Sequence, residues 1–503
     1  MTGRAAILAC AALLAGCAGL EAPHSVHLAA EQPRVRGCAE WFAALDAVTD
    51  AAGVRDAQEA RVAGFPYLRV NRFLAALAPR AAGDAAALRA LVERMTALDA
   101  AARAAELANL PQAALAELPG LATAARGEAL ARTRDCARLL RELDLATSGR
   151  AAQLLARIAV PDDYSRAMRV LGLYPLTRHL FAAGVRAWEN EARAAFAAGS
   201  RAGAPARPGR VLVRLSPPAA PRVSHAEAAR ILQAAARDPL GVPELSAHDV
   251  ERLLAAHAPS FEIEVAGDAD RFGRLRWTRE RPAPAVEAAD PVVYTRLAHT
   301  LAGGRVLLQL VYTIWFAERP PREPGDIYAG LLDGLVWRVT LAPDGEPLIY
   351  DSIHPCGCYH MFFPTARARA RPAPDALEEW AFAPLSLPRV RAGERALVRV
   401  ASGTHFIEGV TVVSDPGSVA RYAFAPEDEL RSLASTAGGR RSAYGPDGLV
   451  PGTERPERLL FWPMGIRSAG AMRQWGRHAT AFVGRRHFDD ADLIERRFAL
   501  ELP

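Results

Sequence analysis

The sequence lacks lysine altogether: all 61 of its basic residues are arginine. This absence is typical of a GC-rich coding bias, and the arginines are interleaved with Asp and Glu rather than gathered in a stripe. The formal net charge is only +5 over 503 residues. Because nucleic-acid-binding proteins present a clustered basic surface, the sequence predicts no nucleic-acid partner.

Common catalytic motifs are also missing. The chain has no phosphate-binding Walker loop, no G-x-S-x-G nucleophile and no H-E-x-x-H metal motif. Asp268 and Asp270 stand at alternate positions before Gly273, but the full spacing of a calcium loop is absent. These absences leave open whether the protein is an enzyme.

Long apolar runs are absent after the N-terminus, so the sequence predicts no membrane-spanning helix in the body of the chain. The N-terminus has Arg4 followed by the apolar stretch 7–15, which has the length of a signal peptide and is too short to span a bilayer. The stretch ends in Leu-Ala-Gly-Cys at 14–17. We therefore expect residues 1–16 to be a signal peptide.

The Leu-Ala-Gly-Cys run resembles the bacterial lipobox, in which small residues precede a cysteine that becomes acylated. The resemblance implies that Cys17 is the first residue of the mature protein and carries diacylglycerol and a palmitate-type acyl group, with 17–35 as a lipidated tether. Ala18, rather than Asp, follows the cysteine, which implies attachment to the periplasmic face of the outer membrane. Several acyl chains would give the protein a stable membrane partner. An ordinary secretory signal cleaved nearby is the alternative.

Cysteine is scarce, with six residues in the whole chain. Removal of the signal peptide discards Cys10, and lipid would occupy Cys17. Thiols tend to pair in the oxidising periplasm. Cys38 and Cys136 are the only two cysteines of the first part of the mature chain, so we predict that they form a disulfide.

The fold class predicted from hydrophobic periodicity is α+β. Residues 36–200 show apolar residues at 3–4 spacing and many good helix formers, which predicts an all-helical domain. A Gly- and Pro-rich linker at 201–210 follows. Residues 211–503 are rich in β-branched and aromatic residues, which predicts a larger, mainly antiparallel β domain with a few helices. A Pro-Asp-Gly turn within 336–351 predicts a hairpin.

One short pattern concentrates candidate functional side chains. His354, Cys356, Cys358 and His360 occupy every second position, so a straight strand would place all four on one face. They would then span about 20 Å, too far for a single ion to bind them all. Pro355 and Gly357 predict that the backbone bends between them.

Four interpretations of this Cys/His turn at 354–360 remain open. Cys356 and Cys358 form a tight, strained disulfide. The cysteines and histidines bind a metal ion, zinc or copper. One cysteine is a nucleophile with His405 as its base, an order similar to that of periplasmic cysteine peptidases of the cell-wall hydrolase kind, although no helix begins at this turn. Finally, the four side chains are simply buried and hydrogen-bonded. Catalytic candidates are Cys356, Cys358 and His405, and the metal-ligand candidates are His354, Cys356, Cys358 and His360.

Taken together, these patterns predict a cell-envelope lipoprotein that binds or assembles with an envelope protein partner. The His/Cys turn would bind a metal ion or form a disulfide. The alternative is an envelope cysteine hydrolase that uses Cys356 or Cys358 with His405.

Overall fold

The computed structural model describes residues 25–121, 125–199, 205–219, 223–279, 281–375, 377–391, 393–414, 420–436 and 438–503. The predicted signal peptide and Cys17 lie outside these residues. The mixed α+β class is confirmed. Within the described ranges, no helix combines the length and the apolar character needed to cross a membrane.

The described residues form two compact units. One lies within Met1–Arg55 and Glu59–Val160, and the other within Asp56–Gln58 and Pro161–Pro503. The predicted boundary was the linker at 201–210, so the last part of the predicted helical domain belongs to the second unit. Its long helix carries Trp188 and Phe196, which pack in the main core of that second unit.

The first unit is mostly helical. Its helices are α1 (Ser25–Leu28), α2 (Pro33–Ala51), α3 (Arg72–Ala81), α4 (Ala85–Asn109), α5 (Gln112–Ala116), α6 (Arg126–Ala146) and α7 (Arg150–Arg157). An antiparallel hairpin of β1 (Ala60–Val62) and β2 (Phe65–Val70) corrects the all-helical prediction. All six residues of β2 are buried, so the strand lacks the alternation that would reveal it in the sequence.

The predicted disulfide between Cys38 and Cys136 is present and joins α2 to α6, with the two Cα atoms 5.1 Å apart. Asp84 is the N-cap of helix α4, and its carboxylate accepts hydrogen bonds from the backbone N–H groups of Ala86 and Ala87. Such a cap satisfies donors that have no partner within the helix.

The second unit contains two large sheets. Its helices are α8 (Arg166–Leu171), α9 (Tyr174–Gly199), α10 (His225–Ala234), α11 (Ala247–His257), α12 (Arg458–Phe461) and α13 (Leu493–Arg497). Its strands are β3 (Val211–Ser216), β4 (Ala236–Arg237), β5 (Pro243–Glu244), β6 (Ser260–Val265), β7 (Arg274–Arg276), β8 (Ala285–Glu287), β9 (Val292–Ala302), β10 (Arg305–Arg319), β11 (Gly330–Leu341), β12 (Pro347–Ile353), β13 (Met361–Pro364), β14 (Ala368–Ala370), β15 (Glu394–Val400), β16 (Ile407–Ser414), β17 (Ala420–Arg421), β18 (Ala423–Pro426), β19 (Leu433–Ala434), β20 (Arg440–Arg441) and β21 (Phe498–Leu500).

The larger sheet has the order β13-β12-β11-β10-β9-β18, and the other has the order β16-β15-β6-β3-β17. Neighbours from β9 to β13 are antiparallel, whereas β18 joins β9 in parallel and β15 joins β6 in parallel. The predicted hairpin is confirmed as β11 and β12, with Val339 opposite Tyr350. Side chains from both sheets, such as Phe261 and Trp337, share one hydrophobic core with α10 and α11.

The segment Asp56–Gln58, from the early part of the chain, belongs to the second unit. The buried carboxylate of Asp56 accepts hydrogen bonds from Nε and Nη2 of Arg431 at 2.9 and 3.1 Å. It also accepts one from Nε2 of Gln474 at 3.1 Å. A bidentate pair of this kind fixes orientation as well as charge.

Candidate functional site

The Cys/His turn connects β12 to β13 within the larger sheet. The backbone N–H of Gly357 donates to the carbonyl of His354 at 2.8 Å, and the N–H of His354 donates to the carbonyl of Cys358 at 3.0 Å. Gly357 has a φ of +91°, and a Cβ atom there would lie 2.5 Å from the carbonyl oxygen of Ala479. The bend predicted at Pro355 and Gly357 is therefore present, and position 357 has no room for a side chain.

The two thiols of the turn are free and lie side by side. Cys356 is buried, with 2% of its surface exposed, and Cys358 is half-buried. A hydrogen bond between the thiols lowers the pKa of Cys356, and the same bond, together with burial, raises the pKa of Cys358. The two sulfurs thus titrate as one interacting pair, in which Cys356 loses its proton more readily than Cys358 does.

The two histidines of the turn are each bonded to a different carboxylate. His354 donates from Nδ1 to Oδ1 of Asp333 at 3.0 Å, and His360 donates from Nε2 to Oδ2 of Asp351 at 2.9 Å. Burial lowers the pKa of His354 in spite of Asp333, and it lowers the pKa of His360 to about 3. Both rings are therefore neutral at physiological pH.

The predicted metal ligands do not form a cluster. In the described part of the chain, no group of three or more His, Cys, Asp or Glu side chains is placed to hold a metal ion. His354 and His360 use one ring nitrogen each on separate carboxylates rather than turning toward the sulfurs of Cys356 and Cys358. Zinc or copper binding at the turn stays a prediction, which elemental analysis of the purified protein would test.

His405 lies between two carboxylates instead of beside a thiol. It donates from Nδ1 to Oδ2 of Asp333 at 3.0 Å, and its Nε2 is 3.5 Å from Oδ1 of Asp270, an ion-pair distance. Its ring stacks on Phe316 with centroids 3.9 Å apart. Burial would lower the pKa of His405, but the carboxylates of Asp270 and Asp333 raise it. The predicted thiol–His405 pair is not among the hydrogen bonds of the described residues.

Asp333 is the centre of this buried network. Its carboxylate, which is fully buried, accepts hydrogen bonds from His354, His405 and the backbone N–H of Gly334, and Nη2 of Arg455 lies 3.7 Å away. Burial alone would raise the pKa of Asp333, but His354 and Arg455, with the histidine hydrogen bonds, hold it well below its usual range. A carboxylate anion thus joins the thiol turn to the loop between β15 and β16.

Strained backbone surrounds the same network. Five non-glycine residues in the described ranges have a positive φ, and three of them adjoin it: Leu332 at +54°, Tyr359 at +61° and His405 at +54°. Such conformations cost about 1–3 kcal/mol each and concentrate at functional sites. Leu332 precedes Asp333, and Tyr359 follows Cys358. The strain therefore marks this part of the second unit as a candidate site.

A cavity of about 480 Å³ lies beside the turn, and Cys358 and Tyr359 form part of its wall. Glu457, which also lines it, is only 3% exposed. Burial raises the pKa of Glu457 to about 7, although Arg455 and Arg319 oppose the rise. A carboxyl group that titrates near neutral pH next to a thiol is able to exchange protons with a bound molecule.

No pattern in the sequence is strong enough to identify several residues of this site in advance. Asp333 and Asp326 both stand near glycine, a context that is typical of residues in turns and caps. The structure confirms that role for Asp326, which accepts from the backbone N–H groups of Arg322 and Tyr328. Asp333 instead lies inside β11 among apolar residues. A lone carboxylate in an apolar strand is the signal that would have found it.

No family model matches this chain, and no curated protein or solved structure matches it either. Function is therefore inferred from the chemistry of the site itself: a pair of contacting free thiols, a buried Asp–His network behind them and a cavity in front of one sulfur.

Proposed function

We propose that the protein is a cell-envelope lipoprotein whose Cys356 and Cys358 exchange electrons with a disulfide that enters the cavity. One observation supports this most directly: the two thiols are hydrogen-bonded to each other, and only Cys358 borders the cavity beside Tyr359 and Glu457. Paired thiols, one reachable and one buried, are suited to attack and then resolution.

The exchange balances as follows. Cys356 first loses its proton to water, the proton of Cys358 then passes across the hydrogen bond to Cys356, and the Cys358 thiolate attacks one sulfur of the incoming disulfide. A mixed disulfide forms, and half of the substrate leaves as a thiolate. The released thiolate takes the proton of Cys356, and the Cys356 thiolate attacks the sulfur of Cys358. The second half of the substrate then leaves as a thiolate and takes a proton from water. The substrate gains two electrons and two protons, and the protein gains a Cys356–Cys358 disulfide.

The tight spacing of the pair favours the reverse direction as well. A disulfide that closes across the single residue Gly357 is strained, and strained disulfides are easily reduced. The oxidised protein would therefore transfer its disulfide to a substrate dithiol. This behaviour suits an oxidising compartment, which is consistent with the lipobox-like N-terminus.

The proposed location follows from the sequence of residues 14–17. Acylated Cys17 would hold the protein on the periplasmic face of the outer membrane. An envelope protein with an accessible disulfide or dithiol would be its partner, which keeps the binding or assembly role in the proposal.

Oxidised glutathione is a suitable probe for the redox proposal in the full-length protein. We expect the wild-type protein to release two reduced glutathiones per chain and to lose two hydrogen atoms by mass spectrometry. Cys356→Ser should stop at a mixed disulfide on Cys358. Cys358→Ser should release little glutathione, because Cys356 is buried. Equal release by wild type and Cys358→Ser would overturn the proposal.

A second candidate, a cysteine hydrolase, is favoured by Glu457. Its pKa of about 7 beside Cys358 would allow it to act as general base in the place predicted for His405. In that case Cys358 alone would form an acyl intermediate, and Cys356→Ser would keep the activity. The redox proposal requires both thiols, so this one variant separates the two candidates.

A further inference from the structure

The cavity beside Cys358 has two unlike ends, one cationic and one apolar. We infer that it binds an anionic amphiphile: a hydrocarbon chain that lies along α9, with a carboxylate or phosphate head beside Arg319. The inference goes beyond the proposed redox function, because binding of such a ligand requires no reaction of the thiols.

Arg319 supplies the cationic end. It lines the cavity and is only 2% exposed. Among the described residues, no carboxylate lies within the 4.0 Å of an ion pair, and its Nε has no hydrogen-bond partner. Its remaining contacts are the hydroxyl of Tyr359 at 3.5 Å and the rings of Tyr328 and Phe406 at 5.4 and 5.1 Å. Asp326 and Asp333 act on this buried guanidinium only from beyond ion-pair distance, so an anion in the cavity would stabilise it further.

The carboxylates on the cavity wall do not occupy that position. Glu379 accepts hydrogen bonds from the backbone N–H groups of Phe482 and Val483. Glu189 lies 3.6 Å from Arg193, and Glu191 is exposed to solvent. Since burial raises the pKa of the remaining one, Glu457, to about 7, its repulsion of an anionic head is reduced at neutral pH.

Apolar side chains form the other end of the cavity. They come from α9 and from the segments around 461 and 482, and they are Leu180, Phe181, Val185, Trp188, Phe461 and Phe482. Phe461 packs against both Phe181 and Phe482, with ring centroids 5.5 and 5.0 Å apart. Leu180 is 76% exposed at this end, and Leu176, one turn earlier, is 69% exposed. A continuous hydrocarbon surface therefore leads from solvent into the cavity.

Gly184 keeps this path open. It lies within the 26-residue helix α9 and lines the cavity, and a Cβ atom built on it would meet no atom within 4 Å. Glycine inside a helix lowers helix stability relative to alanine. A ligand chain in the space beside Gly184 would explain why the helix has glycine there in spite of its lower helix stability.

Titration calorimetry with dodecanoate on the full-length protein tests the inference. We expect dodecanoate to bind at least tenfold more tightly than butyrate, which has the head alone, and than dodecyl maltoside, which has the same chain with a neutral head. Arg319→Gln should remove the preference for dodecanoate over dodecyl maltoside. Gly184→Leu should weaken dodecanoate binding at least tenfold by filling the chain path.

Gly37→Leu is the matched control, because Gly37 is also helical with no atom within 4 Å of its Cβ position, but it lies in the first unit. The Cys356→Ser protein, whose changed side chain does not line the cavity, should bind dodecanoate as the wild type does, so loss of redox activity and loss of binding are separate results. Sedimentation with phosphatidylglycerol vesicles, compared for wild type and Gly184→Leu, distinguishes a bilayer lipid from a free fatty acid as the source.

Three results would overturn the inference. The first is binding of neither dodecanoate nor the vesicles by the wild-type protein. The second is equal affinity for dodecanoate and dodecyl maltoside, which would exclude an anionic head site. The third is wild-type affinity in Gly184→Leu, which would place the chain elsewhere.

Discussion

Asp333 accepts a hydrogen bond from His405, which stands 72 positions later in the chain, with 3.0 Å between its Oδ2 and the imidazole Nδ1. The other oxygen of the same carboxylate accepts from His354 in the thiol turn. One buried anion thus sets the position of two imidazoles on separate loops. Because both hydrogen bonds are charge-assisted, they are stronger than neutral ones and fix ring orientation.

Asp333→Asn should destabilise the second unit by about 3–5 kcal/mol, because it removes the buried negative charge that accepts hydrogen bonds from His354 and His405 and lies 3.7 Å from Arg455. Urea denaturation would measure the loss. Asp268→Asn is the control, since its carboxylate is fully exposed, and a change within about 0.5 kcal/mol is expected there. Similar values for the two variants would contradict a central role for Asp333.

Stability should fall as the pH decreases from about 6.5 toward 4.5. The pKa of His360 is about 3 in the folded chain, below the usual histidine value of about 6.5, so the unfolded chain binds the proton first. The contribution of neutral His360 to the free energy of unfolding is complete above pH 6.5 and is lost as the pH falls toward 3. His360→Gln keeps a donor for Asp351 but takes up no proton, so its free energy of unfolding should fall less steeply. An unchanged slope would count against this role.

His405 acts in the opposite direction. Its pKa is raised in the folded chain, so its contribution is complete below the unfolded pKa and is lost as the pH rises through the folded pKa. A wild-type denaturation series from pH 7 to 10 should show this decline. His405→Gln should show a smaller one.

Replacing Cys38 and Cys136 by serine should destabilise the first unit. The bond closes a loop of 98 residues. On the chain-entropy model, closing such a loop with a disulfide stabilises the folded protein by up to about 4–5 kcal/mol, and the measured stabilisation is usually smaller. Denaturation of the double variant would measure the change. A variant as stable as the wild type would show that the unfolded chain is already compact around this pair.

Cys17→Ala should yield a protein that is unprocessed or not held on the membrane, because the acyl chains supply the membrane affinity. Fractionation of cell envelopes would measure it. Equal recovery of variant and wild type with the outer membrane would contradict the lipobox interpretation.

Local turn chemistry made part of this fold predictable. The sequence Pro-Asp-Gly at 343–345 predicts the hairpin of β11 and β12, and Pro355 with Gly357 predicts the bend of the thiol turn. Both signals depend on backbone preferences of residues that are neighbours in the chain. The disulfide was predicted from the expected oxidising compartment and from the small number of cysteines.

The candidate site itself depends on contacts that no local pattern contains. Asp333 meets His405 only after β11 and the loop before β16 have been brought together, and periodicity carries no information on such pairing. Tyr359 and His405 also adopt a positive φ that their own side chains disfavour. Tertiary structure imposes these conformations, which is why local sequence patterns do not predict the candidate site.

The position of Asp56 in the chain determines when its hydrogen bonds are able to form during biosynthesis. Asp56 is made early, yet its hydrogen-bond donor Gln474 lies 418 positions later. At about 5–20 residues per second, roughly 20–80 s pass before that donor is translated. The segment Asp56–Gln58 therefore leaves the ribosome long before the unit to which it belongs, and interruption of translation anywhere before Arg431 would deprive this carboxylate of the donors on Arg431 and Gln474.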